Sequence, residues 1–377
     1  MSKTGYTGAF YLYITFTKEN SLNKMAIVNT ALTLKDLPTP PEGKTGWPWT
    51  EENQPLPGRM LNGLEWPRIT IVTPSYNQGQ FIEESIRSVL LQGYTNLEYI
   101  IIDGGSTDNS IEIINKYEPY LAYWISEPDR GQSHALNKGF RKGTGNLVGW
   151  QNSDDYYNPG AFLFAAQASV NFSDADIIYG NVNYVDEGGT IMFEAEISQF
   201  DFKKMLPWLC ILNQATFFKS KIFIDGNFIN EDKQHVMDYD FFWRLGLANY
   251  KFKFIPAISA SHRQHSKAKG HTQKDIADQE FFEVYKFLYK DTNLEADVKE
   301  KVLSCMRGCC LNDFTKLKFG LFRKRIREIV AISSLSSLTP LLLLKYISSL
   351  IGERNVFFIK KVRNYVLGLY EYDEKLK

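Results

Sequence analysis

An open α/β sheet with parallel strands is the fold this sequence predicts between residues 67 and 270, on three observations. Short apolar runs recur from Arg68 onward, apolar residues at helical spacing fall between them, and each run ends in a polar segment. Near-continuous apolar strands are the habit of parallel sheets covered on both faces. Strand and helix in alternation imply right-handed crossovers.

The elements follow in order. Ile69–Thr73 reads as a strand ending at Pro74. Ile82, Ile86, Val89 and Leu90 stand at i, i+4, i+7 and i+8, a helix with one buried face. Leu97–Ile102 is an isoleucine-rich strand, after which Ser106 or Thr107 is placed to cap a helix carrying Ile111 and Ile114. Leu121–Ile125, a helix through Ala135–Phe140, and Asn146–Trp150 complete the regular part. Beyond Pro159 the pattern loosens. Asp176–Tyr179 and Gly180–Phe193 read as strands with a turn at Glu187-Gly188-Gly189, and Gln214–Phe218 as another. Met237–Ala248 is a helix whose Asp240 and Arg244, four apart, are placed to pair. A further strand is expected just ahead of His262 and His265.

Residues 1–66 form an N-terminal extension. Its Pro- and Gly-rich stretch from Leu37 carries Trp47, Trp49 and, further on, Trp66, bulky rings expected to pack on the domain that follows. Residues 271–377 alternate charged and apolar at helical spacing and form a C-terminal helical region. Within it Ile329–Ile351 is strongly apolar but broken by serines, Pro340 and Lys345, a poor membrane span. Basic residues frame it, among them Lys316, Arg323, Lys324, Arg327, Lys360, Lys361 and Arg363. Both an amphipathic membrane-surface helix and a packed helical subdomain fit that pattern. Lysine plus arginine equals aspartate plus glutamate at 43 each, which gives no electrostatic footprint for nucleic acid. Of the four cysteines, Cys210, Cys305, Cys309 and Cys310, none forms a C-x-x-C pair, so reduced core thiols of a cytoplasmic protein are expected. Ala9–Phe16 is broken by Tyr11, Tyr13 and Thr15, and no signal peptide is expected.

In open parallel sheets ligands bind outside the carboxyl ends of the strands. Here those ends are Pro74-Ser75-Tyr76-Asn77, Asp103-Gly104-Gly105-Ser106-Thr107-Asp108, Glu127-Pro128-Asp129-Arg130-Gly131-Gln132 and Asn152-Ser153-Asp154-Asp155. Asp and Asn favour turns and caps anyway; their convergence on one edge is the signal. Neither G-x-G-x-x-G nor G-x-x-x-x-G-K-[ST] is present, so both Gly-rich ways of cradling phosphate are missing. Carboxylates would repel a diphosphate unless a hard cation, Mg²⁺ or Mn²⁺, bridges the two. Such a cation also stabilises charge on a departing nucleoside diphosphate.

Taken in order, Thr73-Pro74-Ser75-Tyr76-Asn77, Asp103 to Asp108 and Asn152-Ser153-Asp154-Asp155 resemble the family 2 glycosyltransferases. The phrase Trp124-Ile125-Ser126-Glu127-Pro128-Asp129-Arg130-Gly131-Gln132-Ser133 narrows the resemblance to their bacterial surface-polysaccharide branch. It covers about residues 68–265. It implies the GT-A form of the α/β fold, an open mixed sheet, mostly parallel, flanked by helices. It implies an inverting transferase that takes a nucleotide-sugar donor, UDP foremost, and a glycan or lipid-linked acceptor, at the inner face of the cell membrane. Pro74, Tyr76 and Asn77 would line the base and ribose pocket, and Asp103 would contact the base. Gly131, Gln132, Asn137 and Lys138 would run under the nucleotide. Asp155 would hold the cation with His265, and Asp154 the ribose side. Asp238 would be the general base, taking the acceptor's proton, and needs a pKa raised towards neutrality. Asp240 is its rival, with pairing to Arg244 the plainer role.

This sequence departs from the family pattern at Gly104, Asn152 and Met237, each an acid there. Asn213-Gln214 stands where this branch has His-Gln, so Gln214 is either an acceptor-side residue or a satisfied core amide. His134 suits a helix start, His262 a solvated loop, and His235 and His271 the surface. Competing readings are a sugar nucleotidyltransferase, whose basic Gly-rich loop Pro74–Asn77 lacks, an inactive nucleotide-sugar binder, and a glycosidase.

Overall fold

The computed structural model describes residues 30–206, 211–268 and 274–350. Ala9–Phe16, Cys210, His271, Ile351 and the basic residues at 360, 361 and 363 lie outside them.

Strands β1 (Ile69–Ser75), β2 (Leu97–Asp103), β3 (Tyr123–Ser126) and β4 (Leu147–Trp150) pair in parallel in the order β3-β2-β1-β4. Helices α1 (Ile82–Leu90), α2 (Ser110–Tyr117) and α3 (Gln132–Lys142) are the crossovers. β1 and β2 are buried along their whole length, as apolar runs covered on both faces require. Each such isoleucine contributes about 1.5–3 kcal/mol by leaving water. α3 lies close on β1: a Cβ at Gly139 would fall 2.3 Å from Val72 Cγ1. Only glycine permits that approach, and it fixes the height of α3 above the sheet edge.

The sheet continues through β8 (Thr216–Lys219), β6 (Ile177–Val185), β9 (Phe252–Arg263) and β5 (Tyr156–Tyr157), with β7 (Ile191–Glu194) on β6. Here β4–β8, β6–β8, β6–β7 and β5–β9 are antiparallel and β6–β9 parallel. The continuous run of parallel strands thus spans residues 69–150, and one further parallel pair, β6–β9, lies in the second half. Helix α4 (Ala161–Asn171), the short α5 (Lys221–Ile224) and α6 (Met237–Leu247) complete this part.

Several local expectations are corrected. Asp176–Tyr179 and Gly180 onward form one strand, β6, whereas the turn expected at Glu187-Gly188-Gly189 is where the chain reverses, within Asp186–Thr190. Gln214 sits in a 3₁₀ turn, Asn213–Ala215, ahead of β8. Ser106 does not cap α2, because its hydroxyl donates to Asp103. Asp108 accepts from Ser110 N–H instead, at 3.0 Å.

The N-terminal segment lies on the sheet domain. Leu32, Leu37, Met60 and Trp66 share a core with β1 and α1. Trp47 Nε1 donates to the Tyr157 carbonyl at 2.8 Å, and Trp49 is buried. Arg87 of α1, fully buried, donates to the carbonyls of Pro38 (2.8 Å), Pro48 (3.1 Å) and Trp49 (3.1 Å).

Helices α7 (Lys274–Lys290), α8 (Ala296–Thr315), α9 (Phe319–Ile332) and α10 (Pro340–Leu350) follow. Phe282, Tyr285, Leu288 and Val302 share one apolar cluster with Phe241, Phe242 and Trp243 of α6. Cys305, Cys309 and Cys310 are free thiols on α8, and burial pushes Cys309 up to about 12.

Candidate active site

The polar strand ends do meet at one edge, but they divide into carboxylates that build the edge and carboxylates that face the cleft. Asp103 builds. It is fully buried, its Oδ2 accepting from Gly105 N (3.1 Å), Ser106 N (2.8 Å) and Ser126 Oγ (2.7 Å), its Oδ1 from Ser106 Oγ (2.5 Å). Asp155 builds as well, at 1% exposure. Its Oδ2 accepts from Asn152 Nδ2 and Gln214 Nε2, both at 2.8 Å. Its Oδ1 accepts from Arg263 N (2.8 Å) and lies 3.1 Å from His262 Nδ1. Burial alone would raise the Asp155 pKa; the charge of His262 and these donors outweigh it and hold the carboxyl below its ordinary range. Both oxygens are therefore committed to the protein, and Asp155 is not presented as a cation ligand.

Asp154 faces the cleft. Its side chain is 21% exposed, and its Oδ2 lies 3.0 Å from His265 Nε2. Arg263 Nε donates to the Asp154 carbonyl at 3.0 Å and its Nη2 pairs with Glu84 at 2.9 Å. Phe81 packs on the buried His265 ring, centroids 4.8 Å apart. The last residues of β9 thereby hold the β4 loop: Arg263 orients Asp154 through backbone, and His265 meets it through side chain. The 3.0 Å contact is a hydrogen bond, and it brings together one carboxylate oxygen and one imidazole nitrogen, both atoms of the kind that ligate Mn²⁺. Among the described residues no cluster of three or more His, Cys, Asp or Glu is arranged to hold a cation. A diphosphate would have to complete the shell, which is how Mg²⁺ is usually held. The imidazole nitrogen favours Mn²⁺ over Mg²⁺.

The other predicted residues fall into three groups. Tyr76 is 62% exposed at the end of β1, above the buried Pro74. Asn77 has φ 52°, and its Oδ1 accepts from Thr107 N at 2.8 Å, tying the first two strand ends together. Gly131 takes φ 109°, and its N–H donates to Asp129 Oδ1 at 2.7 Å. Gln132 Nε2 donates to Asn152 Oδ1 at 2.8 Å, so this segment does run beside the β4 loop. Asn137 and Lys138 are engaged elsewhere. The buried Asn137 amide brackets Ile229, donating to its carbonyl (2.8 Å) and accepting from its N–H (3.0 Å). Lys138 Nζ pairs with Glu127 at 2.6 Å.

Asp238 opens α6, its Oδ1 accepting from Tyr239 N at 2.8 Å. Burial raises its pKa, only partly offset by that N–H and by His235 and His262 nearby. Asp240 pairs with Arg244 at 2.8 Å.

Three residues escaped the sequence reading. His262, expected in a loop, lies near the end of β9 and partners Asp155; on the same carboxylate Gln214 is a buried amide, one of its two expected roles. His235 is half-buried rather than on the surface, with a buried Nδ1. Glu280 of α7 accepts from Gln234 N (2.7 Å), His235 N (2.8 Å) and Val236 N (3.0 Å), capping the approach to α6. Asp129 explains one departure from the family pattern. A Cβ at Gly104 would fall 2.9 Å from Asp129 Oδ2, so this carboxylate occupies the space a side chain at 104 would take.

Residues 70–234 match the family model described as glycosyl transferase family 2. An uncharacterized glycosyltransferase of Rickettsia felis is 27% identical over 228 residues, 58% of this chain and 36% of that protein. Chondroitin synthase of Pasteurella multocida is 27% identical over 195 residues, 51% of this chain and 20% of the synthase. The chain thus spans about a third or less of the length of these relatives. Among solved structures, S. aureus TarS 1–349 in complex with UDP-GlcNAc superposes with a TM-score of 0.58 at 17% identity, covering 82% of this chain and 95% of TarS 1–349. The mannosyltransferase PcManGT of Pyrobaculum calidifontis, in complex with GDP-Man and Mn²⁺, superposes with a TM-score of 0.50 at 17% identity, covering 85% and 88%. These two likenesses bear on the fold, which is of the GT-A type.

Proposed function

We propose that the chain is a family 2 glycosyltransferase, the family whose model residues 70–234 match, and that it moves a sugar from a UDP-sugar to a hydroxyl of a glycan or lipid-linked acceptor in bacterial surface-polysaccharide synthesis. The observation that carries this reading is the Asp154–His265 pair, 3.0 Å apart at the carboxyl edge of the parallel strands.

Asp154 and His265 would hold Mn²⁺ or Mg²⁺, which supplies charge neutralisation for the diphosphate leaving group. This replaces the Asp155–His265 set expected from sequence. Asp155, saturated by its own donors, holds the loop on which Asp154 stands. The exposed Tyr76 ring offers a face for the base. Asp129, in the space over Gly104, offers an acceptor for a base N–H. Across the cleft Asp238, its pKa raised by burial, takes the acceptor's proton as the hydroxyl attacks, which inverts the anomeric carbon. TarS in complex with UDP-GlcNAc and the chondroitin synthase relative support the donor type and the polysaccharide setting. The exposed apolar residues of α10, Leu341, Leu344, Ile347 and Leu350, support a membrane-surface role.

UDP release from UDP-glucose, UDP-galactose and UDP-N-acetylglucosamine tests the reading, with Mn²⁺ or with a chelator, in solution and on anionic vesicles. Release from at least one donor, abolished by the chelator and by Asp154→Ala, is expected. Binding of every donor with no release would instead mark a nucleotide-sugar binder without transferase activity.

A further inference from the structure

The antiparallel hairpin of β6 and β7 stands beside the Asp154–His265 pair. Its turn is tightly made. Asp186 N bonds the Thr190 carbonyl at 2.9 Å, Thr190 N bonds Asp186 Oδ1 at 2.8 Å, and Gly189 takes φ 90°. Arg263 Nη1 donates to the Glu187 carbonyl at 2.7 Å, and Gln264 N bonds the Val185 carbonyl at 2.8 Å. The hairpin is therefore fastened to the same β9 end that orients Asp154 and His265.

Despite this anchoring, β7 presents apolar side chains to water. Met192 is 57% and Phe193 53% exposed. Phe193 lies directly across from Tyr184 and stacks on it, with centroids 4.6 Å apart and planes 14° from parallel. Tyr184 in turn meets His262 edge-on at 5.0 Å. A cleft of about 530 Å³ opens here, walled by Tyr184, Met192 and Phe193, with Glu187 and Gln264 on its polar side and His265 at its inner end. That volume suits a small ligand rather than a protein partner, since ligand sites run to about 300–1,000 Å³.

We propose that this cleft, built on Tyr184 and Phe193, is the acceptor subsite, and that it takes a pyranose ring lying flat on the Phe193–Tyr184 stack. The inference rests on the transferase reading above. A pyranose has one face of C–H groups and a rim of hydroxyls. The aromatic stack matches the face; Glu187 and Gln264 match the rim. His265 makes the cleft continuous with the proposed cation site. Burial, and after it the charges of Asp155 and Asp238, raise the Tyr184 phenol, so the stack and the proposed base share one electrostatic environment.

The test is saturation-transfer NMR on the full chain, with and without UDP and Mg²⁺, using methyl glucoside, methyl galactoside and methyl N-acetylglucosaminide. The expected result is saturation of ring C–H protons of at least one glycoside. The signal should fall about tenfold in Phe193→Ala and return in Phe193→Trp, in line with the loss and recovery of a stacked ring. UDP affinity, read by calorimetry on the same samples, should be unchanged. The acceptor cleft is overturned if no glycoside is saturated, or if Phe193→Ala leaves the signal intact. It is equally overturned if sedimentation shows that Phe193→Ala only converts a dimer to a monomer, β7 then being a contact between copies. Failure of the wild-type chain to bind UDP would count against the donor reading, a separate outcome.

Discussion

At the residue scale, two neighbouring carboxylates have opposite fates. Asp154 and Asp155 are adjacent, and nothing local in the sequence distinguishes which one turns inward. The answer comes from Arg263, whose N–H reaches Asp155 and whose guanidinium reaches the Asp154 carbonyl. That register is set by a strand more than a hundred residues on, so it was not legible from the motif alone. Asp103 was legible as an important acid, but its bonds to its own loop and to Ser126 decide that it supports rather than contacts. Asp238 carries the pH prediction. With its pKa raised by burial, and with His235, His262 and Tyr184 electrostatically coupled to it, the proposed base is lost as pH falls through a value above the usual carboxylate range of about 4. In a pH–rate profile kcat/KM should therefore decline on that acid limb. Asp238→Asn should remove the limb and about 10²-fold of the transfer rate while sparing UDP affinity. A flat profile down to pH 4, or wild-type transfer by the variant, would exclude Asp238 as base.

At the scale of elements, the parallel half was readable because each strand and helix declares itself locally. Isoleucine runs mark β1 and β2, and the i, i+4 spacing marks α1. The second half was harder. α4 buries Ala161, Phe162, Ala165, Ala166 and Ala168 within a stretch that is apolar nearly throughout, so no single face stands out. β6 passes unbroken through Gly180, whose added Cβ would fall 2.4 Å from the Ala257 carbonyl. There glycine permits the approach of β9 rather than a turn. The N-terminal segment was legible through its tryptophans, whereas Arg87 was not, since a cation on a helix ordinarily faces water. Buried carbonyls left without a donor cost about 1–3 kcal/mol each. Arg87→Ala orphans those of Pro38, Pro48 and Trp49 and should cost about 3 kcal/mol or more. Urea unfolding should show it as a lower midpoint, with new protease cleavage between residues 38 and 49. An unchanged midpoint would mean that the segment is held by its tryptophans alone.

At the scale of the molecule, the C-terminal helices and the catalytic helix share one core, and Glu280 of α7 caps the turn that presents Asp238. A carboxylate some forty residues further along the chain thus holds the backbone that enters α6 just ahead of Met237. Among the described residues no helix is long and apolar enough to cross a membrane. The exposed apolar stripe of α10, Leu341, Leu344, Ile347 and Leu350, is the surface on which the proposed membrane contact rests. The proposed chemistry converges on one point, the cation site proposed at Asp154 and His265 between β4 and β9. A crystal soaked with UDP and Mn²⁺ and measured for manganese anomalous scattering tests it most directly. The expected result is one manganese bonded to the Asp154 carboxylate, His265 Nε2 and the UDP diphosphate, with Asp155 still bound to Asn152, Gln214 and Arg263. A manganese held by Asp155, or UDP seated at this edge with no cation, would contradict it.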